Sequence, residues 1–496
     1  MRFIHPDPQL RFTVRIRPIR APRADSQTRP DYVSEMTPVE GPEKSMRARR
    51  AAPASGSTST VGGVTEARTA AAMALADLRA GALLDAAFER RVGPLDARDR
   101  RWVQELIWGM LRRRGWLDAM LGARVRGGIA KLDPDVADLL RLGAYQLVAM
   151  GSVPAYAAIA QTVELTKRRH GIGASKLANA VLRRVDRERD ALEPPVPADA
   201  IEALAQRYSH PRWVVARWIE RWGTAHVERL LAANNEEATI TVRPFGVVRE
   251  QLEAMLDGAG VTTHDVPLVG DSLQLGPGVA LTELGAFKQG LLFVQDPAAT
   301  LVTQYAAVPA GATVADLCAA PGGKAVELSR TASLVIAADR NRARVDKMLL
   351  GLGRIDATNL AAVVADARFP AIEPVDAVLI DVPCTGTGTF KRHPDARWRL
   401  RMSDFAVLGA TQKQILRAAA QIVKPGGLLI YSTCSLELEE NDDQIESFLA
   451  DCKEFTLEAP PSGTVPESVL DNGMLRVLPQ ATGTDGAFAA RLRRAL

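Results

Sequence analysis

Acidic residues end successive apolar runs in the last two fifths of the chain. From Gly290 onward, short β-type runs alternate with helical segments, and four of these runs end at or very near Asp316, Asp339, Asp366 and Asp381. Such alternation predicts a doubly wound α/β domain with a largely parallel sheet, whose ligands bind at the carboxyl ends of the strands. A single strand-end aspartate is usually a turn former or a helix N-cap. Four of them, together with a glycine pair, indicate a binding site.

The turn after the first acid narrows the choice of ligand. It consists of Cys318, Ala319, Ala320, Pro321, Gly322, Gly323 and Lys324. The turn lacks the G-x-G-x-x-G of dinucleotide-binding folds. Lys324 has neither the glycine spacing nor the following Ser/Thr of a P-loop, so a P-loop is excluded. This lysine is therefore expected on the surface or paired with a carboxylate. An acid after the second strand, Asp339, suits two ribose hydroxyls, and an acid after the third, Asp366, suits an adenine amino group. Together these features predict an S-adenosylmethionine pocket.

Two of the four cysteines stand at strand ends. Four cysteines in 496 residues are too few for a disulfide framework, and none forms a C-x-x-C pair suited to zinc. Cys384 follows Asp381-Val-Pro, and Cys434 follows Tyr431-Ser-Thr at the end of the next strand, so both thiols are expected in one crevice. A thiolate that adds to C6 of a pyrimidine makes C5 nucleophilic toward a methyl donor. The pair therefore predicts C5 methylation, but spacing alone does not rank the two thiols.

Positive charge is concentrated in the N-terminal third. Residues 1–65 contain 11 Lys/Arg against 6 Asp/Glu, and residues 66–190 contain 22 against 15, whereas the whole chain has a net charge of +4. A polyanionic partner should be attracted mainly to this third of the chain, although arginine-rich helices can also be simply solvated.

Composition divides the chain into four parts. Residues 1–65 are rich in Arg, Pro, Ser and Thr without a period, which predicts a disordered basic tail, unless translation begins at Met46. Residues 66–190 have the apolar spacing of an all-α bundle, and 191–289 read as a proline-rich linker, short helices and a small α+β module. The α/β domain occupies 290–496. Because no apolar run approaches the roughly 20 residues of a membrane span, we expect a cytoplasmic protein.

These motifs resemble the bacterial RsmB/Sun family of rRNA cytosine-C5 methyltransferases. That family joins a NusB-like helical RNA-binding domain to a Rossmann-type class I methyltransferase domain, and the resemblance covers residues 66–496. The segments that carry it are 316–324, 381–389, 392–395 with Trp398, and 432–435 in the α/β domain, and 141–145 and 179–183 in the helical domain.

The resemblance implies roles that spacing alone left open. Cys434 is the implied nucleophile, Cys384 the implied aid to release of the methylated RNA, and Asp381 the implied contact to N3 or the amino group of cytosine. The implied cofactor contacts are 318–324, Asp339, Asp366 and Asp381. The target base must leave its stack, so we expect a looped or single-stranded region of RNA, most simply in 16S rRNA, bound by a monomer without a metal ion.

Two other functions stay open at this stage. A tRNA cytosine-C5 methyltransferase would share the catalytic motifs, because only the helical domain points to ribosomal RNA. A non-catalytic RNA-binding or antitermination scaffold would need only the helical domain. The intact thiols and the complete cofactor pocket argue against the scaffold.

Overall fold

The N-terminal boundary of the fold is a short hairpin. The computed structural model describes residues 60–61 and 63–496. Most of the tail predicted at 1–65 lies outside the described residues, and its last residues form the hairpin of β1 (Thr60–Val61) and β2 (Val64–Thr65). The side chain of Thr65 then caps the first helix by accepting a hydrogen bond from the backbone N–H of Arg68. In the described part of the chain, no helix is long and apolar enough to cross a membrane.

Six helices follow and form the predicted all-α bundle. They are α1 (Glu66–Arg79), α2 (Leu84–Val92), α3 (Ala97–Arg112), α4 (Arg114–Gly122), α5 (Pro134–Ala149) and α6 (Ala155–Arg187). Helix α5 begins where Asp133 accepts hydrogen bonds from two backbone amides and Pro134 occupies the first turn. Helix α6 is interrupted at Gly171, whose φ of +79° is not helical. Leucines, valines and alanines at three- and four-residue spacing fill the core of the bundle.

The middle of the chain folds as the predicted small α+β module. Its elements are α7 (Ala200–Arg207), α8 (Arg212–Trp222), α9 (Thr224–Ala233), β3 (Ile240–Pro244), α10 (Arg249–Gly258), β4 (Thr263–Asp265), β5 (Leu273–Leu275), α11 (Gly285–Lys288) and β6 (Leu292–Val294). The four strands form an antiparallel sheet in the order β4-β5-β3-β6. The predicted boundary at residue 290 therefore precedes a strand that pairs with β3 and completes this small sheet.

The C-terminal part is a nine-stranded α/β domain. Its helices are α12 (Pro297–Ala306), α13 (Gly323–Ser329), α14 (Arg342–Leu352), α15 (Ala396–Arg399), α16 (Met402–Ala420), α17 (Asp442–Asp451) and α18 (Pro479–Thr482). Its strands are β7 (Thr313–Asp316), β8 (Leu334–Asp339), β9 (Leu360–Val364), β10 (Val375–Asp381), β11 (Val423–Thr433), β12 (Phe455–Leu457), β13 (Leu470–Asp471), β14 (Met474–Val477) and β15 (Ala487–Arg494).

The sheet of this domain is parallel on one side and antiparallel on the other. Strands β11, β10, β7, β8 and β9 are parallel neighbours in that order, whereas β15 pairs antiparallel with β11 and carries β14 and β12. The central strands are apolar throughout because helices cover both faces. Helices α12, α13 and α14 pack in one core, and α16 and α17 pack in the other. The doubly wound α/β prediction is confirmed, with a larger antiparallel edge than the sequence indicated.

The bundle packs directly against the segment that follows β10. The Trp108 indole donates a hydrogen bond to the carbonyl of Arg392 at 3.1 Å, and the Trp398 indole donates one to the carbonyl of Leu111 at 2.9 Å. Tryptophan supplies both a large apolar surface and one donor, which suits such a junction. Contacts from α3 thereby hold a segment that begins close to Cys384.

Candidate active site

A crevice forms where three neighbouring parallel strands end on aspartates. Asp316, Asp339 and Asp381 are the last residues of β7, β8 and β10, and Asp366 lies two residues beyond β9. Because β10, β7, β8 and β9 are adjacent in that order, the acids lie along one edge of the sheet. This is the edge at which doubly wound folds bind ligands.

A cavity of about 380 Å³ opens beside the first strand of this edge. The whole predicted turn lines it, together with two of the four predicted acids, namely Cys318, Ala319, Ala320, Pro321, Gly322, Gly323, Lys324, Asp316 and Asp381. Gly322 has φ of +110°, and a Cβ there would lie 2.9 Å from Cγ of Met348, which also lines the cavity. Glycine is thus required for this approach of backbone to ligand space. The volume is within the range of small-molecule sites.

Two polar groups in the cavity lack partners in the protein. Both carboxylate oxygens of Asp316 and the side-chain nitrogen of Gln295 are buried without a hydrogen bond to the part of the chain described. Burial, opposed by Lys324 and assisted by the nearby Asp381, raises the pKa of Asp316 to about 7. Unpaired buried polar atoms are costly. A ligand that carries an amino group and a carboxylate, as the methionine part of S-adenosylmethionine does, fits these atoms and the glycine turn.

Lys324 pairs with a carboxylate, which was one of its two predicted environments. Its Nζ donates to Asp381 Oδ2 at 2.8 Å, and the Ser432 hydroxyl donates to Asp381 Oδ1 at 2.9 Å. Burial opposes the charge on Lys324, but Asp381, Asp316 and Cys434 outweigh burial and raise the pKa of this lysine. A permanent cation therefore stands near the Cys434 thiol.

The two strand-end cysteines meet. Sγ of Cys384 lies 3.0 Å from Sγ of Cys434, although 50 residues separate them in the chain, which confirms the predicted convergence. The hydrogen bond between the two thiols and burial both raise the pKa of Cys384 well above its ordinary value. Cys384 therefore keeps its proton at neutral pH and can act as an S–H donor toward the second sulfur.

The other cysteines have different surroundings. Cys318 lines the cofactor-sized cavity, where burial and the adjacent Asp316 raise the pKa of its thiol. Cys452 follows α17, packs against the core beneath that helix and does not line the cavity. The thiol pair of the crevice thus consists of Cys384 and Cys434.

Buried hydrogen bonds fix the two loops that carry this pair. Glu440 accepts hydrogen bonds from the backbone N–H of Thr385 at 2.9 Å and from Gln412 Nε2 at 3.0 Å. The backbone N–H of Gly388 donates to the carbonyl of Cys434 at 3.0 Å, and that of Gly486 donates to the carbonyl of Gly388 at 2.7 Å. Since the loops are held along their backbones, the positions of the sulfurs are set by the fold.

Two predicted acids already have partners. Asp339 pairs with Arg344 at 3.1 Å, and Asp366 pairs with Arg368 at 2.6 Å. Neither acid is among the residues that line the cavity. Arg344 also donates to the carbonyl of Ala320 and so lies between Asp339 and the turn. The cavity therefore brings together the turn, Asp316 and Asp381, whereas Asp339, Asp366 and the two cysteines do not line it. The thiol pair lies beside the cavity, because Ser432, two residues before Cys434, bonds to Asp381.

Sequence reasoning missed one cluster of charged residues at the cavity. Asp296 lines the cavity, caps α12, and shares Arg392 with Asp485, at 2.8 Å and 3.0 Å respectively. Burial raises the pKa of Asp296 to about 6, and the charge of Asp485 adds to this effect. An acid followed by proline at a strand-to-helix junction could have indicated Asp296. The contacts to Arg392 and Asp485 had no local signal.

Replacement of Asp316 by asparagine should stabilise the protein without cofactor. The folded-state pKa of about 7 lies above the usual value near 4, so ionisation of Asp316 opposes folding progressively from about pH 4 to pH 7. The gain in unfolding free energy should reach up to about 4 kcal/mol above pH 7 and shrink toward pH 4. Thermal unfolding at pH 8 and pH 5 measures it, and a gain independent of pH would show that the buried charge is not its cause. Affinity for S-adenosylmethionine should fall in the same variant.

Comparison with known families divides the chain into the same parts. A model described as "16S rRNA methyltransferase RsmB/F" matches residues 305–493, and the model of the NusB family matches residues 65–187. Between them, residues 210–282 match the ferredoxin-like domain of RsmF/B-like methyltransferases.

Similar proteins extend over nearly the same length. A probable ribosomal RNA small subunit methyltransferase B of Synechocystis is 35% identical over 445 residues, which cover 86% of this chain and 99% of that protein. The ribosomal RNA small subunit methyltransferase B of Vibrio cholerae is 33% identical over 88% of this chain and 99% of its own length. Among solved structures, PH0851 superposes with a TM-score of 0.74 and 24% identity, and the overlap covers 88% of this chain and 100% of PH0851. That likeness shows a shared fold.

Proposed function

Because the chain belongs to the RsmB/F family of 16S rRNA methyltransferases, we propose that it methylates C5 of a cytosine in small-subunit ribosomal RNA through a covalent adduct. The observation that carries the C5 chemistry is the 3.0 Å approach of the Cys384 and Cys434 sulfurs. Methyl transfer to a ring nitrogen would need no thiol, whereas transfer to C5 needs a nucleophile at C6.

S-adenosylmethionine is the proposed cofactor, and when bound it supplies an electrophilic methyl group. The turn 318–324 would hold it through backbone groups, as the glycines allow. Asp316 and Gln295 offer unpaired buried polar atoms to its amino and carboxylate ends. The ribose hydroxyls would bind Asp339, which requires the Arg344 side chain to move away from that acid. This side chain is 56% exposed and so has room to move.

Cys434 is the proposed nucleophile. As its Sγ bonds to C6, the electron pair of the C5–C6 double bond is displaced and the ring takes up a proton at N3. Asp381 stands at the mouth of the crevice with both oxygens already held, one by Lys324 and one by Ser432. This network fixes the orientation of the carboxylate toward a base in the crevice. Once C5 carries the methyl group, N3 releases its proton. Removal of the C5 proton by a base then re-forms the C5–C6 double bond as Sγ leaves as a thiolate, which restores the aromatic ring.

Electrostatics supports the order of roles that the family resemblance implied. Lys324, whose pKa is raised by Asp381 and Asp316 against the effect of burial, stays protonated and interacts electrostatically with Cys434. Cys384 has a strongly raised pKa and remains a thiol, so it can hydrogen-bond to the sulfur of Cys434. Cys384 would then stabilise the departing Cys434 thiolate by donating an S–H hydrogen bond to it while keeping its own proton.

Bisulfite sequencing of total RNA tests the proposed reaction and its substrate together. In a strain that lacks the gene, one cytosine of 16S rRNA should lose its protection from bisulfite conversion. The gene for the intact chain should restore protection, and the gene for Cys434→Ala should not. Loss of protection in a tRNA, with 16S rRNA unchanged, would contradict the ribosomal substrate, and no loss in any RNA would contradict C5 methylation.

A further inference from the structure

A large second cavity lies where the helical bundle meets the module that follows it. It has a volume of about 860 Å³ and is bounded on one side by α3, α4 and α5 and on the other by the ends of α7 and α9. Its charged and aromatic lining residues are Arg112, Arg113, Trp116, Tyr145, Arg207 and Tyr208, with Glu236 and Glu237 at the module side. This cavity shares no lining residue with the cofactor cavity.

The charges around this cavity do not balance. In the described part of the chain, neither Arg112 nor Arg113 forms an ion pair, and Nε of Arg112 is buried without a hydrogen bond. Arg207 pairs weakly with Glu228 at 3.3 Å, and Glu236 is taken by Lys391 at 2.9 Å. Glu237 is thus the one lining acid that remains to offset the two unpaired arginines of α3.

Behind the wall of the cavity stands another uncompensated cation. Arg397 is 0% exposed, and it bonds only neutral acceptors, among them Asn235 Oδ1 at 2.7 Å and the carbonyl of Ser209 at 3.2 Å. Asn235 and Ser209 both line the cavity. Burial and the nearby Arg112 lower the pKa of Arg397 to about 9. Two guanidinium groups close together in a poorly hydrated place, with Glu237 the carboxylate that acts on Arg112, favour binding of an anion.

We propose that this cavity binds phosphate groups of a single-stranded segment of the RNA substrate. The guanidinium forks of Arg112 and Arg113 match phosphate oxygens, and the half-buried rings of Trp116 and Tyr208 line the cavity as groups on which bases can stack, with Arg207 over one face of Tyr208. The volume exceeds that of one phosphate and accommodates more than one nucleotide. The inference rests on the RNA methyltransferase function proposed above and assigns part of its RNA contact to a defined place.

The cavity is connected to the catalytic loop. Arg397 also donates to the carbonyl of Phe390 at 3.1 Å, and Lys391, next in the chain, pairs with the cavity residue Glu236. Phe390 is six residues after Cys384, on the loop whose Gly388 bonds to the backbone of Cys434. An RNA strand anchored in this cavity would therefore contact residues that are bonded to the segment bordering the two thiols.

Substitution of two arginines on one helix tests the proposal against a matched control. Arg112→Gln/Arg113→Gln removes the unpaired cations of the cavity, whereas Arg98→Gln/Arg101→Gln removes two exposed cations from the same helix outside it. With an unmodified 16S rRNA transcript as probe, the cavity variant should bind roughly 10- to 100-fold more weakly. The slope of log affinity against log salt concentration should decrease by about 2. The control should stay within about twofold, and in methylation assays the cavity variant should raise KM for RNA and leave kcat unchanged.

Several results would overturn the proposal. Equal loss of affinity in both variants would show general charge attraction, and unchanged affinity of the cavity variant would remove the site. If the double variant unfolds at a lower temperature than the unchanged protein, the single variant Arg113→Gln, at an exposed position, is used instead. Its slope of log affinity against log salt concentration should change by about 1. Displacement of the transcript by poly-L-glutamate but not by oligouridylate would indicate an acidic protein segment as the occupant. The RNA-binding test is independent of the proposed chemistry, because Cys434→Ala should lose methylation and still bind RNA normally.

Discussion

Replacement of Cys434 by alanine is expected to lower the rate of RNA methylation by at least about 10⁴-fold. Without the thiol nothing adds to C6, so C5 of cytosine stays unreactive toward the methyl donor. The substitution removes only a small side chain. Its loop is held by backbone hydrogen bonds and by the hydrogen bond from the Thr433 hydroxyl to Asn441 Oδ1 at 2.6 Å, so we expect the fold to persist. Transfer of a labelled methyl group from S-adenosylmethionine to a 16S rRNA transcript measures the rate.

Cofactor binding separates a chemical defect from a structural one in this variant. Cys434 is not among the residues that line the cofactor cavity, so the affinity for S-adenosylhomocysteine, measured by calorimetry, should equal that of the unchanged protein. Cys452→Ala is the matched control, because it removes a thiol that lies beyond α17, away from the crevice, and should methylate normally. Normal methylation by Cys434→Ala would contradict the assignment of the nucleophile.

The meeting of the two cysteines could be predicted because parallel strands set it. Residues that follow adjacent strands of one parallel sheet emerge at the same edge, and β10 and β11 are adjacent and parallel. Cys384 and Cys434 stand just beyond those two strands, so their approach to 3.0 Å follows from topology. The glycine turn after β7 was predictable for the same reason, since strand, turn and helix are consecutive in the chain.

The partners of the charged side chains could not be predicted in this way. Asp296, Arg392 and Asp485 are separated by about 90 to 190 residues, and they meet through the packing of α12, the loop after β10 and the start of β15. The cation that pairs with Asp339 is Arg344 in the first turn of α14, and this contact depends on the rotamer of the arginine side chain. The arginine-lined cavity at the bundle likewise needs two domains in contact, and no pattern within either domain encodes it. Local periodicity predicts elements, whereas such sites arise from how the elements pack.

Replacement of Cys384 by alanine is expected to trap the protein on its RNA. In the intact chain the protonated Cys384 faces the sulfur that bonds to C6, and its S–H can stabilise the departing Cys434 thiolate by a hydrogen bond. Without this donor the Sγ–C6 bond still forms but breaks slowly, because a thiolate leaving into a buried site is poorly stabilised. A covalent protein–RNA band should accumulate on a denaturing gel, while turnover falls at least about 10²-fold.

A double substitution shows which sulfur forms the covalent bond to RNA. Cys384→Ala/Cys434→Ala should form no covalent band, because the bond belongs to Cys434, and Cys384→Ala/Cys452→Ala should form as much as Cys384→Ala alone. If instead Cys434→Ala accumulates the adduct and Cys384→Ala does not, the roles of the two sulfurs are reversed. The reversed order would also require the raised pKa of Cys384 to fall when RNA binds, since a thiolate and not a thiol attacks C6. The pH dependence of adduct formation in each single variant distinguishes these cases, because the thiol with the raised pKa would attack faster as the pH increases.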